Sequence, residues 1–289
     1  MSERPLTDWI GARESCAETI AEFPAQAAAA MLDAEPAALH AGRPLPALWH
    51  WFYFLPRAPR SAIDMDGHPK RGGFFPPVTL PRRMFAGART TFHQPIVLGD
   101  AATREGEIVD VREKSGRSGK LVFVTVRYRI SQGGTLRVEE EQDIVYKEPG
   151  PPVADPEPLP APPEAPPGAW ISDITPDSVL LFRFSALTFN AHRIHYDLPY
   201  AREEEGYPGL VVHGPLTAIL LAGMAEANSG QRISRFVFQG RGPLFAQHPF
   251  RLIAEADGDT VGLRAFGPDG ALALQATAEL APAGGGQQA

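Results

Sequence analysis

Three histidines and an asparagine fall within one short stretch, FNAHRIHYDLPYAREEEGYPGLVVHGPLTAILLA, from Phe189 to Ala222. Asn190, His192 and His195 can position water and move protons: an imidazole exchanges its proton near neutral pH, whereas an amide can only orient its neighbours. Downstream, His213 and Gly214 lead into Pro215 and the apolar run LTAILLAGMA. Proline fits the first turn of a helix, where its missing N–H costs nothing, so a helix is predicted to start at Gly214. Such a start presents unpaired N–H groups and a favourable dipole to a negatively charged oxygen. Proton-carrying side chains beside an oxyanion-holding helix start point to acyl chemistry at a carbonyl.

The elements that must position these groups follow from the flanking patterns. Residues 7 to 33 predict helix, with Thr7 or Asp8 as a cap, Ile10, Ala17, Ile20, Ala21 and Phe23 at roughly helical spacing, and Pro24 as an interruption. The run LWHWFYFL, Leu48 to Leu55, can wall a ligand pocket, and His50 within it reads as a packed core residue. Residues 64 to 89 are rich in Gly and Pro and predict a loop, one that concentrates Lys70, Arg71, Arg82, Arg83 and Arg89 as a site for an anionic ligand tail. From Phe92 to Tyr146 apolar and polar residues alternate, which predicts strands joined by SGRSGK and SQGG hairpin turns. Lys114, Arg117 and Lys120 around the first turn could reach a phosphate.

Residues 149–168 hold 10 of the 30 prolines and no Lys or Arg, a linker composition that divides the chain into residues 1–148 and 169–289. The second half opens with Trp170 and Ile171 and predicts a strand at about Ser178 to Ala186, then the central loop and helix. Strands are predicted at Arg232–Gln239, Pro249–Ala256, Thr260–Phe266 and Ala271–Leu280, with tight turns at Asp257-Gly258 and Asp269-Gly270. The acidic run Glu203 to Glu205 reads as a solvated face, and Tyr196 and Tyr200 as packing residues.

Bulk composition narrows the function classes. A chain of 289 residues with 44% hydrophobic and 21% charged residues is an ordinary globular protein. A net charge of −7 argues against a nucleic-acid binder, since phosphate neutralisation needs a basic face. The single cysteine, Cys16, excludes a disulfide framework or a cysteine-cluster zinc site. No apolar stretch approaches the roughly 20 residues of a membrane span, and Glu3, Asp8 and Glu14 do not suit a secretory signal, so cytoplasm is the expected location.

Taken together, TFNAHRIHYDLPYA and VVHGPLTAILLAG resemble the MaoC-like (R)-specific enoyl-CoA hydratases, whose Asp, Asn-Pro and His loop is followed by a His-Gly pair opening a helix. HWFYFLP, DGHPKRGGFFPP, LPRRMFAG and KSGRSGKLVFVTV look like the type 2 hydroxyacyl-thioester dehydratases and mesaconyl-CoA hydratases. That resemblance implies an α+β double hot-dog fold, two long antiparallel sheets wrapped round central helices, to which the residue pattern adds N-terminal helices. It implies a hydro-lyase that reversibly adds water to a 2-enoyl-CoA thioester, with a short, branched or dicarboxylic acyl group such as mesaconyl-CoA or a related C4–C5 unit. His195 then falls on the catalytic histidine and Gly214 on the glycine whose N–H holds the thioester oxygen. Asn190 falls on the family's aspartate and cannot accept a proton, so it could orient water or the histidine. His192 falls on the family's asparagine and could be the proton acceptor, or Asp197 could orient a ring. Arg82, Arg83, Lys114, Arg117 and His213 are candidates for binding the substrate and CoA, with Arg82, Arg83 or Arg193 available to a substrate carboxylate.

No metal or redox cofactor is implied, CoA being part of the substrate. The expected partner is acyl-CoA, with no nucleic acid or membrane, and pairing of two copies into a homodimer is left open. Two other readings stay open. A thioesterase of the same fold usually needs an acid near the helix, and none lies from Leu216 until Glu226. A non-catalytic acyl-thioester binder is compatible with Asn190. The first half, lacking a His-Gly helix start, is expected to be a non-catalytic copy that lends wall and CoA-binding surface.

Overall fold

The computed structural model describes residues 4–116, 119–161 and 163–282. After a 3-10 turn at Leu6–Trp9, strand β1 runs Arg13–Thr19 and helix α1 Glu22–Met31, followed by 3-10 turns that include Trp49–Phe52. Strands β2 (Arg82–Phe92), β3 (Ala101–Gly116), β4 (Gly119–Gln132) and β5 (Thr135–Lys147) complete the first half. The second half contains β6 (Trp170–Ile174), α2 (Ser178–Leu187), α3 (Leu198–Glu203), α4 (Gly214–Ser229), β7 (Ile233–Gly240), β8 (Phe250–Asp257), β9 (Thr260–Phe266) and β10 (Leu272–Leu280).

The strands form one antiparallel sheet of ten, in the order β1-β3-β4-β5-β2-β7-β10-β9-β8-β6. The expected pair of sheets is therefore fused, and the seam is the pairing of β2 with β7. Gly87 makes the seam possible: a Cβ there would lie 2.4 Å from the Phe238 carbonyl oxygen, and β2 shifts register beside it, between Phe85 and Gly87.

Helix α4 is apolar nearly all round, which marks a helix enclosed by protein rather than floated on a surface. It packs against β7, β8, β9, β10 and β2, burying Leu216, Ile219 and Leu221. Each such side chain contributes about 1.5–3 kcal/mol relative to exposure. The helix ends at Gly230, which takes the left-handed conformation (φ 67) that closes a helix without a Cβ penalty. A second apolar cluster, around Ile108, Val124, Val126 and Tyr146, lies under the first half of the sheet.

Four expectations need correction. Residues 13–19 are the edge strand β1 rather than helix, because pairing with β3 outweighs their helical spacing. Pro24 sits in the first turn of α1, where an absent N–H is tolerated, so it helps to begin that helix instead of interrupting it. Ser178–Leu187 is the helix α2, not a strand: the Asp177 side chain accepts from the Leu180 N–H at 2.8 Å, and the buried Leu181, Phe184 and Ser185 share one helical face. Residues 82–89, read as loop, belong to β2, whose neighbours β5 and β7 supply hydrogen bonds on both sides. The proline-rich stretch has no regular structure, but it is tied down by the Val153 N–H to Gly206 carbonyl bond at 2.7 Å.

Candidate active site

Between α2 and α3 the chain turns sharply through Phe189, a non-glycine residue in the left-handed region (φ 49). Strain of this kind persists where surrounding structure demands it, commonly at functional sites. The turn is pinned by the Asn190 N–H donating to the Ser185 carbonyl at 2.9 Å, and the Asn190 Oδ1 accepts the His192 N–H at 3.1 Å. A 3-10 turn over Arg193–His195 then carries His195 inward.

His195 Nδ1 lies 2.7 Å from the Val211 carbonyl oxygen. A carbonyl can only accept, so Nδ1 carries the hydrogen and Nε2 keeps its lone pair. The ring stacks on His213, with centroids 3.6 Å apart and planes at 19°. His213 is the N-cap of α4, and its Nε2 is 2.9 Å from the Ser185 hydroxyl. This stacking places His195 directly beside the start of α4, where Gly214 is the first helical residue. Burial lowers the His195 pKa to about 4 against the raising effect of the Val211 contact. Burial, with the neighbouring imidazoles, lowers His192 to about 2 and carries His213 well below the ordinary value. All three rings are therefore neutral at pH 7.

The opposite wall comes from the first half of the chain. In residues 64–69 the Asp66 carboxylate accepts from its near neighbour twice, from the His68 N–H at 2.8 Å and from His68 Nδ1 at 3.1 Å. The His68 ring lies 4.3 Å from His192, and His192 lies 5.5 Å from His195. Burial alone would raise the Asp66 carboxyl, but the His68 hydrogen bonds and charge hold it well below the usual carboxylate range. Burial lowers His68 in turn. Sequence reading missed this pair, having taken residues 64–89 as a loop, a cation cluster and a family likeness without singling out Asp66 or His68. The signal was DGHP, with an acid and a histidine two residues apart across a glycine.

These groups line one cavity of about 1130 Å³, shared by His68, Asn190, His192, His195, His213 and Gly214. Of the cation candidates, Arg82 lines it but is buried in an ion pair with Glu205 at 3.2 Å. Glu205 is thus a buried partner and not part of a solvated acidic face. Arg83 also lines the cavity, its guanidinium 4.8 Å from the Phe75 ring, and it forms no ion pair among the described residues. Lys114 stands outside, against Phe123, and Arg117 lies outside the described residues. Arg193 is engaged by Asp197 at 2.8 Å. Arg60 and Arg241, both exposed at the cavity, were not singled out from sequence. His50 lies at the cavity within a buried network, 3.4 Å from Glu140, and Gly150, Pro151 and Val153 of the proline-rich stretch form part of the wall.

Asp66, His68 and His192 offer ligand atoms within 4.8 Å of one another, the one cluster among the described residues able to hold a metal ion. Here the Asp66 carboxylate and His68 Nδ1 are spent on each other, which suits a hydrogen-bonded pair more than a coordination set. Among the described residues, no helix is long and apolar enough to cross a membrane.

Residues 48–246, spanning the aromatic run, both cavity walls and α4, match the family of hydroxyacyl-thioester dehydratases type 2. The chain belongs to that family. It is also 57% identical over 282 residues to the mesaconyl-C(4)-CoA hydratase of Chloroflexus aurantiacus, covering 97% of this chain and 99% of that one. Membership and this identity make the protein a hydro-lyase. A solved MaoC-like dehydratase superimposes with a TM-score of 0.72 at 16% identity, covering 96% of this chain and 100% of the other. A Mycobacterium tuberculosis protein described as having a double hot-dog fold gives 0.55 at 14% identity over 94% of this chain and 96% of its own. The ten-stranded sheet with its enclosed helix is thus the double hot-dog fold of this family.

Proposed function

We propose that this hydratase reversibly adds water to a short enoyl-CoA bearing a second, free carboxylate, mesaconyl-C4-CoA or a near relative. The observation that carries the reading is a neutral, tautomer-fixed His195 stacked against the N-cap of α4 inside a cavity that also holds an unpaired arginine. The thioester oxygen is received by the free N–H at Gly214, where the negative charge of the enolate develops; one such fixed donor is worth roughly 3 kcal/mol. The α-carbon is bonded to the thioester carbon, so it lies on the α4 side of the cavity, within the sphere of His195 Nε2. His195 therefore exchanges the α-proton. Water bonds to the β-carbon as the π pair moves toward the thioester, and its proton passes to the histidine wall opposite. The amide of Asn190 orients that water without taking its proton.

In mesaconyl-C4-CoA the β-carbon carries both a methyl group and the carboxylate, so the anion must sit close to the attacking water. Arg83 suits it: the guanidinium lines the cavity and its charge acts on both His68 and His192. Arg82 is already neutralised by Glu205. Arg60 and Arg241, exposed at the cavity, are available to the CoA phosphates. Following the enoyl absorbance near 260 nm with crotonyl-, mesaconyl- and itaconyl-CoA, alongside free-thiol detection, tests the reading. Loss of the band without thiol release, fastest with mesaconyl-C4-CoA, is expected; thiol release would instead establish a thioesterase.

A further inference from the structure

The loop that carries His195 has Asn190 at the place where the MaoC-like hydratases it resembles carry an aspartate, and an amide cannot accept a proton. A carboxylate is nevertheless present, delivered from the other half of the chain. We infer that His68, oriented by Asp66, is the group that takes the proton from the attacking water, so that the acid–base machinery is completed by the half of the protein that lacks its own histidine-glycine helix start. This rests on the hydration reading above.

Several independent features carry it. Asp66 is buried, and its carboxylate accepts from His68 Nδ1 at 3.1 Å, which fixes the tautomer and leaves the Nε2 lone pair for water. The same carboxylate stabilises the imidazolium once the proton has arrived, the role a buried aspartate plays behind a catalytic histidine. His192, the nearer alternative by sequence, lies within 4.8 Å of an Asp66 oxygen but has no hydrogen bond to a carboxylate among the described residues; its ring is edgewise to His195 and tilted against His68. The two loops are locked together: the Arg193 N–H donates to the Asp66 carbonyl at 2.9 Å, and Arg193 Nη1 donates to the Met65 carbonyl at 3.1 Å. Gly67 fits so closely over the Ala191 carbonyl that a Cβ would fall 1.7 Å from its oxygen. A solvated loop would need none of this.

The proton balance closes. Water's oxygen bonds to the β-carbon, its proton goes to His68 Nε2, and the π pair shifts to the thioester enolate. The α-carbon takes a proton from His195 Nε2, which has first been loaded from solvent; the proton His68 later releases to solvent replaces that one. Proton exchange with solvent then resets both imidazoles.

The test uses the full chain with Asp66→Asn, His68→Gln, and the double variant Asp66→Asn/Asn190→Asp, with melting temperatures measured in parallel. Each single variant is expected to lower kcat for hydration by roughly 10²-fold or more, the usual weight of a general acid–base group, with KM within about threefold. Asn190→Asp is expected to return at least about tenfold in the Asp66→Asn background, because it puts a carboxylate back beside the two histidine loops. Retention of near wild-type kcat by a folded single variant, or a folded double variant that recovers nothing, would overturn the assignment. Wild-type protein that hydrates no enoyl-CoA would instead remove the reading on which it rests.

Discussion

His195 is the candidate most legible in the sequence, and its neighbours set its chemical state. With Nδ1–H committed to Val211, the ring has one free nitrogen, and burial keeps that nitrogen unprotonated far below the ordinary imidazole range. Arg83 makes the sharpest single-residue prediction. Arg83→Met should lower kcat/KM for mesaconyl-C4-CoA by roughly ten- to hundredfold, the equivalent of the 1.5–3 kcal/mol of a charge-assisted hydrogen bond. Crotonyl-CoA, which has no carboxylate, should lose little; equal losses on both substrates would show that Arg83 does not read the carboxylate. From sequence, Arg82 and Arg83 were indistinguishable adjacent cations. Only the buried Glu205 beside Arg82 separates them.

At the scale of elements, the loop over residues 64–69 is the unexpected contributor. Its glycine is left-handed (φ 95) and pressed against Ala191. Gly67→Ala should therefore cost at least about 2 kcal/mol and displace His68 from the cavity. Both a lower melting temperature and a loss of hydration are expected; an unchanged melting temperature would mean the two loops are not locked. The helix α4 and the strands β3 to β5 and β7 to β10 were readable because burial imposes their period directly. The misread segments are those where a distant partner decides. β1 and β2 owe their strand form to β3, β5 and β7, and α2 owes its start to the Asp177 cap. The Asp66–His68 pair was visible as letters but not as a site, because nothing local says which loop it faces.

For the molecule as a whole, the buried titratable groups set an acid limit. His195 is held neutral, with a folded pKa of about 4 against about 6.5 unfolded, so the unfolded chain binds a proton in that interval and the folded chain does not. Stability is full above pH 6.5 and falls as pH drops toward 4, by on the order of 3 kcal/mol for this group alone. Glu140 acts at lower pH. Burial opposes its charge, but His50, Gln142 and Thr90 hold it below the ordinary carboxylate value, so its contribution is present above about 4.5 and lost on further acidification. Denaturant melts from pH 7 to 4 should show a steady fall in midpoint, shallower in His195→Gln; a flat profile would contradict the buried neutral histidine.

The seam between β2 and β7 has a consequence in time as well as in space. Each half can form its hairpins from neighbouring chain, and β2 can pair with β5 inside its own half, but its other edge must wait for β7, a partner that lies beyond the proline-rich stretch. Loop closure of that length is slow compared with hairpin formation. His68 arrives on one side of the seam and His195 on the other, so the proposed proton path is complete only once the two halves have joined. For a protein that handles reactive enoyl thioesters, chemistry begins only when the last long-range pairing is made.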